Sequence, residues 1–413
     1  MSTQVQIIHH RCCGVDIHKK ILEACILTDD KTLRRRFGTT TKQIQSFILW
    51  LRENQVEVVA MESTGVYWKP VYNLLEAQAI GCLIVNAKHI KNVPGRKTDT
   101  RDAEWIAQLL RHGLFNASYI PDKEQRELRE LARLRTAKIA SRTREIQRIQ
   151  KILEGANIKL SSVVSDINGV TSRQILRMII EGITDPALLT KIAGNRLRAD
   201  LSDIADSLDG IIGDHQRRLL AMQLKSIDFL NEQIAELDAV LEEFEKANEN
   251  FKKALELLDT IPGVGKRIAQ VIAIEAGILM DRFPTAKHLA AWSGMCPGNN
   301  ESAGKRKSGR TRQGNPHLRS HLVQAAHVVA RLKDTFLGAQ YHRIAARRGK
   351  KRAAVAVGHS IIIIAYELLK NQVPYQELGA AFVQLKNRDR VIRKHLAALK
   401  QFGINVDILD LPA

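Results

Sequence analysis

The chain lacks the cysteine pattern of a disulfide framework or a zinc site. Its 413 residues contain five cysteines, Cys12, Cys13, Cys25, Cys82 and Cys296, an odd and scattered set with no CxxC pair. Such thiols read as reduced and mostly buried in a cytosolic protein. His9 and His10 beside Cys12 and Cys13 could catch a metal, although that reading is not favoured. The opening residues lack a signal-peptide pattern, and the run Ile361-Ile362-Ile363-Ile364-Ala365 is too short to span a bilayer. Acidic residues are in deficit as well, 44 Asp and Glu against 63 Lys and Arg. The resulting net charge of +19 calls for a polyanionic partner, most simply nucleic acid.

The first hundred residues alternate strand and helix. Cys12 to Asp16, Ile21 to Leu27 and Thr32 to Gly38 read as three strands, with a turn at Thr28-Asp29-Asp30-Lys31 before the third. Ile44, Phe47, Ile48 and Leu51 form a helical stripe, and Val56 to Met61 a fourth, buried strand ending at Glu62. A helix through Tyr72, Leu74 and Leu75 and a strand from Cys82 to Val85 complete the series. The order of elements is that of an α/β RNase H-like (RuvC-like) domain.

The stretch Arg96-Lys97-Thr98-Asp99-Thr100-Arg101-Asp102-Ala103-Glu104-Trp105 follows, just where a helical pattern through Ile106, Leu109 and Leu110 begins. At a spacing of three, Asp99 and Asp102 lie on one side of a first helical turn. Caps are the plain explanation for acids at a helix start. Asp16 on the first strand and Glu62 at the tip of the fourth make a different set of four, however. Four convergent carboxylates suit two Mg²⁺ ions about 4 Å apart that stabilise the entering and leaving oxygens of a phosphoryl transfer. Lys97 and Arg101, between these acids, are candidate phosphate contacts.

The middle of the chain is long helix. Leu128, Leu131, Leu134, Ile146, Ile149 and Leu153 recur at helical spacing, and a small helical insertion surrounds Ile167-Asn168-Gly169. Ile227, Leu230, Ile234, Leu237, Leu241 and Phe244 then form a heptad seam, which predicts a dimerising coiled coil. The alternative is an amphipathic helix packed within its own domain.

Towards the C-terminus, Ile261-Pro262-Gly263-Val264-Gly265 separates two helical patterns, a helix-hairpin-helix signature. Gly263 and Gly265 permit a tight turn whose N–H groups can meet a DNA phosphate, with Lys266 and Arg267 adding charge. The segment from Asn299 through Ser302, Lys305, Arg306, Lys307, Ser308, Arg310 and Arg312 has glycine, serine and cations without apolar periodicity and reads as a loop. The basic excess continues through Arg319, Arg331, Arg343, Arg347, Arg348, Lys350, Lys351 and Arg352, with phosphate backbone as the counterpart.

Gly14-Val15-Asp16, Glu62-Ser63-Thr64-Gly65-Val66-Tyr67, Lys97 to Ala103, the Pro262–Gly265 turn and Glu301-Ser302-Ala303-Gly304-Lys305 occur in one order. Over about residues 11 to 372 that order resembles the DEDD transposases of the IS one-ten insertion-sequence family, and the long middle resembles its IS eleven-eleven branch. The resemblance implies a RuvC-like nuclease domain, a coiled-coil arm and a mostly helical transposase domain, spanning residues 1–122, 123–250 and 251–372. No signal is legible in the tail, 373–413. It further implies Mg²⁺ held by Asp16, Glu62, Asp99 and Asp102, with Ser302 as the nucleophile of a phosphoserine intermediate. Other implied features are a structured bridge RNA that pairs with donor and target DNA, and a homo-oligomer, dimer or tetramer, in which one subunit's acids meet another's serine. Many family members carry His-Ser-Thr-Gly-Gly-Lys where this chain has Glu301 and Ala303 around Ser302, and Ser308 is the other candidate. The rival readings are a metal-dependent Holliday-junction-type nuclease using water, and a non-catalytic nucleic-acid-binding scaffold.

Overall fold

The computed structural model describes residues 6–402 apart from 64, 86–101, 116, 195–196, 198, 299, 303–304 and 386–387. The chain divides into two compact units, residues 1–122 and 123–413.

The first unit is built on a mixed sheet. Its elements are β1 (Cys12–Ile17), β2 (Ile21–Leu27), β3 (Thr32–Gly38), α1 (Thr41–Glu53), β4 (Val58–Glu62), α2 (Trp68–Ala77), β5 (Gly81–Val85), α3 (Asp102–Arg111) and the short β6 (Ala117–Ser118). The strand order is β3-β2-β1-β4-β5-β6. Strands β1 to β3 form an antiparallel meander, β1, β4 and β5 run parallel, and β6 returns antiparallel on β5. β6 escapes sequence reading because two residues are too few to show alternation.

Alternation along the strands assigns the two faces. Cys13, Val15, Ile17, Val59 and Met61 pack with Ile44, Phe47, Ile48 and Leu51 of α1 and Val71 and Leu75 of α2. The opposite parity, Cys12, Val58 and Ala60, packs with Ala103, Ile106, Ala107 and Leu110 of α3. Both faces are covered, so the central parallel strands read as nearly continuous apolar runs.

Among its described residues the second unit is helical apart from one hairpin. It comprises α4 (Lys123–Gly155), α5 (Leu160–Val163), α6 (Val170–Glu181), α7 (Pro186–Ala193), α8 (Leu201–Leu208), α9 (Asp214–Ala247), α10 (Glu249–Asp259), α11 (Lys266–Ala276) and α12 (Ala286–Trp292). Strands β7 (Asn300–Ser302) and β8 (Lys305–Ser308) come next, then α13 (Pro316–Val329), α14 (Phe336–Arg348), α15 (Lys350–Asn371), α16 (Gly379–Leu385) and α17 (Arg388–Gln401).

Three positions of the heptad seam, Ile227, Ile234 and Leu241, are buried within the chain itself. Helices α4 and α9 pack antiparallel within the chain: Arg135 pairs with Asp238 at 2.9 Å, and Arg142 donates to Asn231 at 2.8 Å. Ile227 joins Ile149 and Leu153 in one core, and Leu241 joins Leu128 and Ala132 in another. Within the chain, the α4–α9 pair therefore takes up Ile227 and Leu241 of the seam. A heptad reports that one stripe seeks burial, and α4 supplies the cover. Full burial of each such side chain contributes about 1.5–3 kcal/mol. Helices α6 and α8 cap one end of the pair through Ile175, Ile179, Ile204 and Leu208, which accounts for the insertion. Helix α15 is long and apolar enough to cross a membrane by composition. Its Ala353, Val357, Ile361, Ile362 and Ala365 are instead fully buried in the larger core, against α10 to α14.

Candidate functional site

Asp16 and Glu62 belong to the strand parity that faces α3, because Cys12 and Gly14 precede the one and Val58 and Ala60 the other. Val15 pairs with Met61 in the parallel register, so the two acids follow at the same level. Helix α3 rests backbone against backbone on β1. A Cβ at Gly14 would collide with the carbonyl of Ala103 and the amide of Ala107, and Cys12 Sγ donates to Ala107 O at 3.5 Å. Only glycine permits that approach. Asp102, the residue before Ala103, is thereby brought to the edge of the same face.

The electrostatics agree with this convergence. The Asp16 side chain is 19% exposed. Burial pushes its carboxyl above the ordinary aspartate value; His18 pulls it back, and the charges of Asp102 and Glu23 push it up again. His18 Nε2 lies 3.2 Å from Asp16 Oδ2. Sequence reading passed over His18, although its place two residues after Asp16 in the β1–β2 turn was the available signal. Asp99, Lys97 and Arg101 lie outside the described residues. Among the described residues no three His, Cys, Asp or Glu side chains form a metal-holding group, so Asp16, Glu62 and Asp102 are not such a group by themselves.

His10 and the N-terminal thiols have partners of their own or lie in the core. His10 Nδ1 is 2.9 Å from Asp29 Oδ2, and Arg111 meets the same carboxylate at 2.7 Å. All five cysteines are free. Burial pushes the Cys12 thiol up to about 12, and Cys13 well above its ordinary value.

The segment expected as a loop around Ser302 is a β-hairpin. Ser302 pairs with Lys305 and Glu301 with Arg306, and Asn300 pairs with Ser308 after a register shift. Ser302 thus closes β7 at the tip, Ser308 ends β8 farther down, and Lys305, Arg306 and Lys307 lie along β8. Glycine and charge conceal the pairing from sequence, since no apolar alternation marks so short and polar a ribbon. Below it the strands stay linked through Gly298 N to Arg310 O at 2.8 Å and a Pro297–Thr311 bridge. Arg310 and Arg312 are exposed there.

The base of the ribbon is held by a buried carboxylate that sequence reading also missed. Asn315, the N-cap of α13, donates to Glu275 Oε2 at 2.6 Å. Arg133 grips both oxygens of Glu275 at 2.7 Å each, while Arg129 binds the Glu275 carbonyl. Glu275 is 1% exposed. Burial would raise its pKa, but Arg133, Asn315 and Arg129 hold it below the ordinary glutamate value. An acid in the otherwise apolar run of α11 was the only hint.

The helix-hairpin-helix forms between α10 and α11, yet its cations are committed. Lys266 lies 3.3 Å from Glu242 and 3.5 Å from Glu245, and Arg267 lies 2.7 Å from Asp238, all on α9. Gly263 has φ +83°, and a Cβ there would strike Val329 and the carbonyl of Ala325 on α13. That glycine therefore serves helix packing. Space remains open only at Gly265, the N-cap of α11. Lys266 and Arg267, expected as phosphate contacts, are thus paired with the acidic face of α9 while staying about half-exposed.

Two family models match the chain, in order. One, of the IS110 DEDD type and described as a transposase, matches residues 13–158. The other, described as the transposase IS116/IS110/IS902 family, matches residues 255–342. The pilin gene-inverting protein of Moraxella lacunata is 21% identical over 377 residues, which cover 88% of this chain and 97% of that protein. The insertion element IS110 uncharacterized 43.6 kDa protein of Streptomyces coelicolor is 27% identical over 319 residues, 71% of this chain and 75% of that protein. A putative transposase of Sinorhizobium fredii, y4pF/y4sB, is 30% identical over 198 residues, 46% of each chain.

Proposed function

The chain belongs to the IS110 (IS one-ten) family of transposases, and from that premise we propose that it cleaves and rejoins DNA strands for a mobile element. In this reading Asp16, Glu62, Asp99 and Asp102 hold Mg²⁺, and Ser302 attacks the DNA. The observation that carries it is the place of Asp16 and Glu62 at one level on the α3-facing parity of neighbouring parallel strands, with the charge of Asp102 acting on Asp16. A carboxyl raised by burial and by a neighbouring carboxylate gains as an anion when a cation arrives. Mg²⁺ suits such a place, since it takes a few carboxylates together with waters and substrate phosphate. Bound there, Mg²⁺ would supply charge neutralisation at a scissile phosphate.

The remaining steps belong to the chain's own side chains. Ser302 stands at the tip of a ribbon whose base is fixed by Asn315 and Glu275, a rigid mount for a nucleophile. Its oxygen bonds to phosphorus, the DNA oxygen leaves, and the serine proton ends on that leaving oxygen. The phosphoserine keeps the energy of the broken phosphodiester for rejoining to another strand. A relative named as a pilin gene-inverting protein supports exchange of strands over simple hydrolysis. Ser302 is preferred to Ser308 because Ser308 pairs with Asn300, away from the tip. Donor and target DNA, a structured bridge RNA and further copies of the chain are the partners this reading requires, acting in the cytoplasm. The charge of +19 suits both nucleic acids.

The test is denaturing electrophoresis of a labelled, nicked substrate with Mg²⁺. Wild type should leave a strand attached to protein, Ser302→Ala should lose both that adduct and exchange, and Ser308→Ala should keep them. Loss of the adduct in Ser308→Ala alone would move the nucleophile. Cleavage by the wild type with no adduct would mean that water attacks, and the protein would then be a hydrolytic nuclease.

A further inference from the structure

Helices α14 and α15 meet at Gly349, which ends one and begins the next with φ +82°. Around that corner, residues 343 to 352 contain Arg343, Arg347, Arg348, Lys350, Lys351 and Arg352 and no acid. All six side chains are exposed. Among the described residues none of them forms an ion pair, and the only polar contact of the group is Arg347 Nε to Arg343 O at 3.5 Å. The stretch begins just past residue 342, where the match to the second family model ends.

Charge placement at this corner is unfavourable for the protein alone. Cations in the last turn of α14 suit its carbonyl end. Lys350, Lys351 and Arg352, however, occupy the first turn of α15, where the exposed N–H groups favour anions. No acid stands in that turn and no side chain caps it. Six like charges and an uncapped helix start therefore ask for one thing, a row of phosphates. The mount is rigid, since α15 runs directly from the corner into the core through Ala353, Ala354 and Val357.

We propose that the α14–α15 corner is a sequence-independent clamp for the backbone of duplex DNA, taking the role that the helix-hairpin-helix at Gly263 would otherwise fill. That second hairpin has its Lys266 and Arg267 engaged by Glu242, Glu245 and Asp238. Duplex is favoured over single strand because residues 343 to 352 offer no aromatic ring for stacking. Phosphate contact without base-reading groups gives affinity without sequence choice. The clamp deepens the recombinase reading and rests on its DNA partner, but not on Ser302.

The experiment measures binding of a labelled duplex DNA of arbitrary sequence across a salt series, using the full chain without cleavage. The triple variant Arg347→Gln, Lys350→Gln, Lys351→Gln should lower the slope of log affinity against log salt by about 2–3, near 0.9 per phosphate lost. Binding should weaken by at least about tenfold at moderate salt. Replacing Arg347 by Lys alone should leave the slope within about 0.5 of wild type, because the charge is kept. The double variant Lys266→Gln, Arg267→Gln should change the slope by less than about 1. Circular dichroism checks that each variant is folded. An unchanged slope in the folded triple variant overturns the clamp, as does an equal or larger loss in the double variant. A loss seen with duplex RNA and absent with duplex DNA overturns the choice of partner. If Ser302→Ala fails to abolish the adduct while the triple variant still loses slope, the clamp stands and the nucleophile assignment alone falls.

Discussion

Asp16 and Glu275 are carboxylates withdrawn from water, one in each unit, and their surroundings are opposite. Glu275 is enclosed by Arg133, Arg129 and Asn315, which lower its pKa against the pull of burial. Asp16 is raised by burial, with only His18 countering and with Asp102 and Glu23 adding to the shift. The same contrast divides the cations. Lys266 and Arg267 have acids at 2.7 to 3.5 Å, whereas the α14–α15 corner has like charges only. A charge that the fold compensates is part of the architecture. One crowded by its own sign is costly to the protein alone.

The largest effect expected from this contrast is at the acid face. Asp102→Asn should reduce DNA cleavage by about four orders of magnitude under the proposed assignment, in which losing a metal ligand removes several kcal/mol of transition-state stabilisation. Nucleic-acid affinity should stay near wild type. Undiminished cleavage in a single-turnover assay would place Asp102 among ordinary helix-start acids.

Glu275→Gln should do the reverse, with its damage in stability. Arg133 and Arg129 would lose their buried counter-charge, at a cost of about 3 kcal/mol. Thermal unfolding reads it directly. The pH dependence has a defined sign. Glu275's folded pKa lies below its ordinary value of 4.5, so its contribution is present above that value and is lost as pH falls through the depressed one. Stability of wild type should therefore drop below about pH 4.5 more steeply than that of the Gln variant. Parallel acid profiles would show that Glu275 contributes no such linkage.

The smallest effect belongs to the paired surface cations. Lys266 is half-exposed in its bridges to Glu242 and Glu245, so Lys266→Ala should cost less than about 1 kcal/mol in denaturant unfolding. A larger loss would mean that the α9–α11 contact depends on this bridge more than on its apolar core.

Much of the first unit is legible from residues alone. Short apolar and β-branched runs bounded by turns locate β1 to β5, and the face carrying Cys12, Gly14 and Asp16 can be counted from parity. Positions of Asp16 and Glu62 at strand ends follow from the same pattern. The heptad of α9 is equally plain, yet its partner is not: a seam such as Ile227, Ile234 and Leu241 is apolar whether α4 or another chain covers it. The hairpin beneath Ser302 is illegible because polar ribbons of three and four residues carry no periodic signal.

Sequence by itself therefore determined the order of elements, the acids at the strand ends, the positive balance and the family motifs, all of which are local in the chain or additive over it. Tertiary structure alone decided which charges find a partner. Lys266 and Glu242 are 24 residues apart, and Arg133 and Glu275 are 142 apart. Coulomb attraction acts through space over a few ångströms, and distance along the chain does not report it.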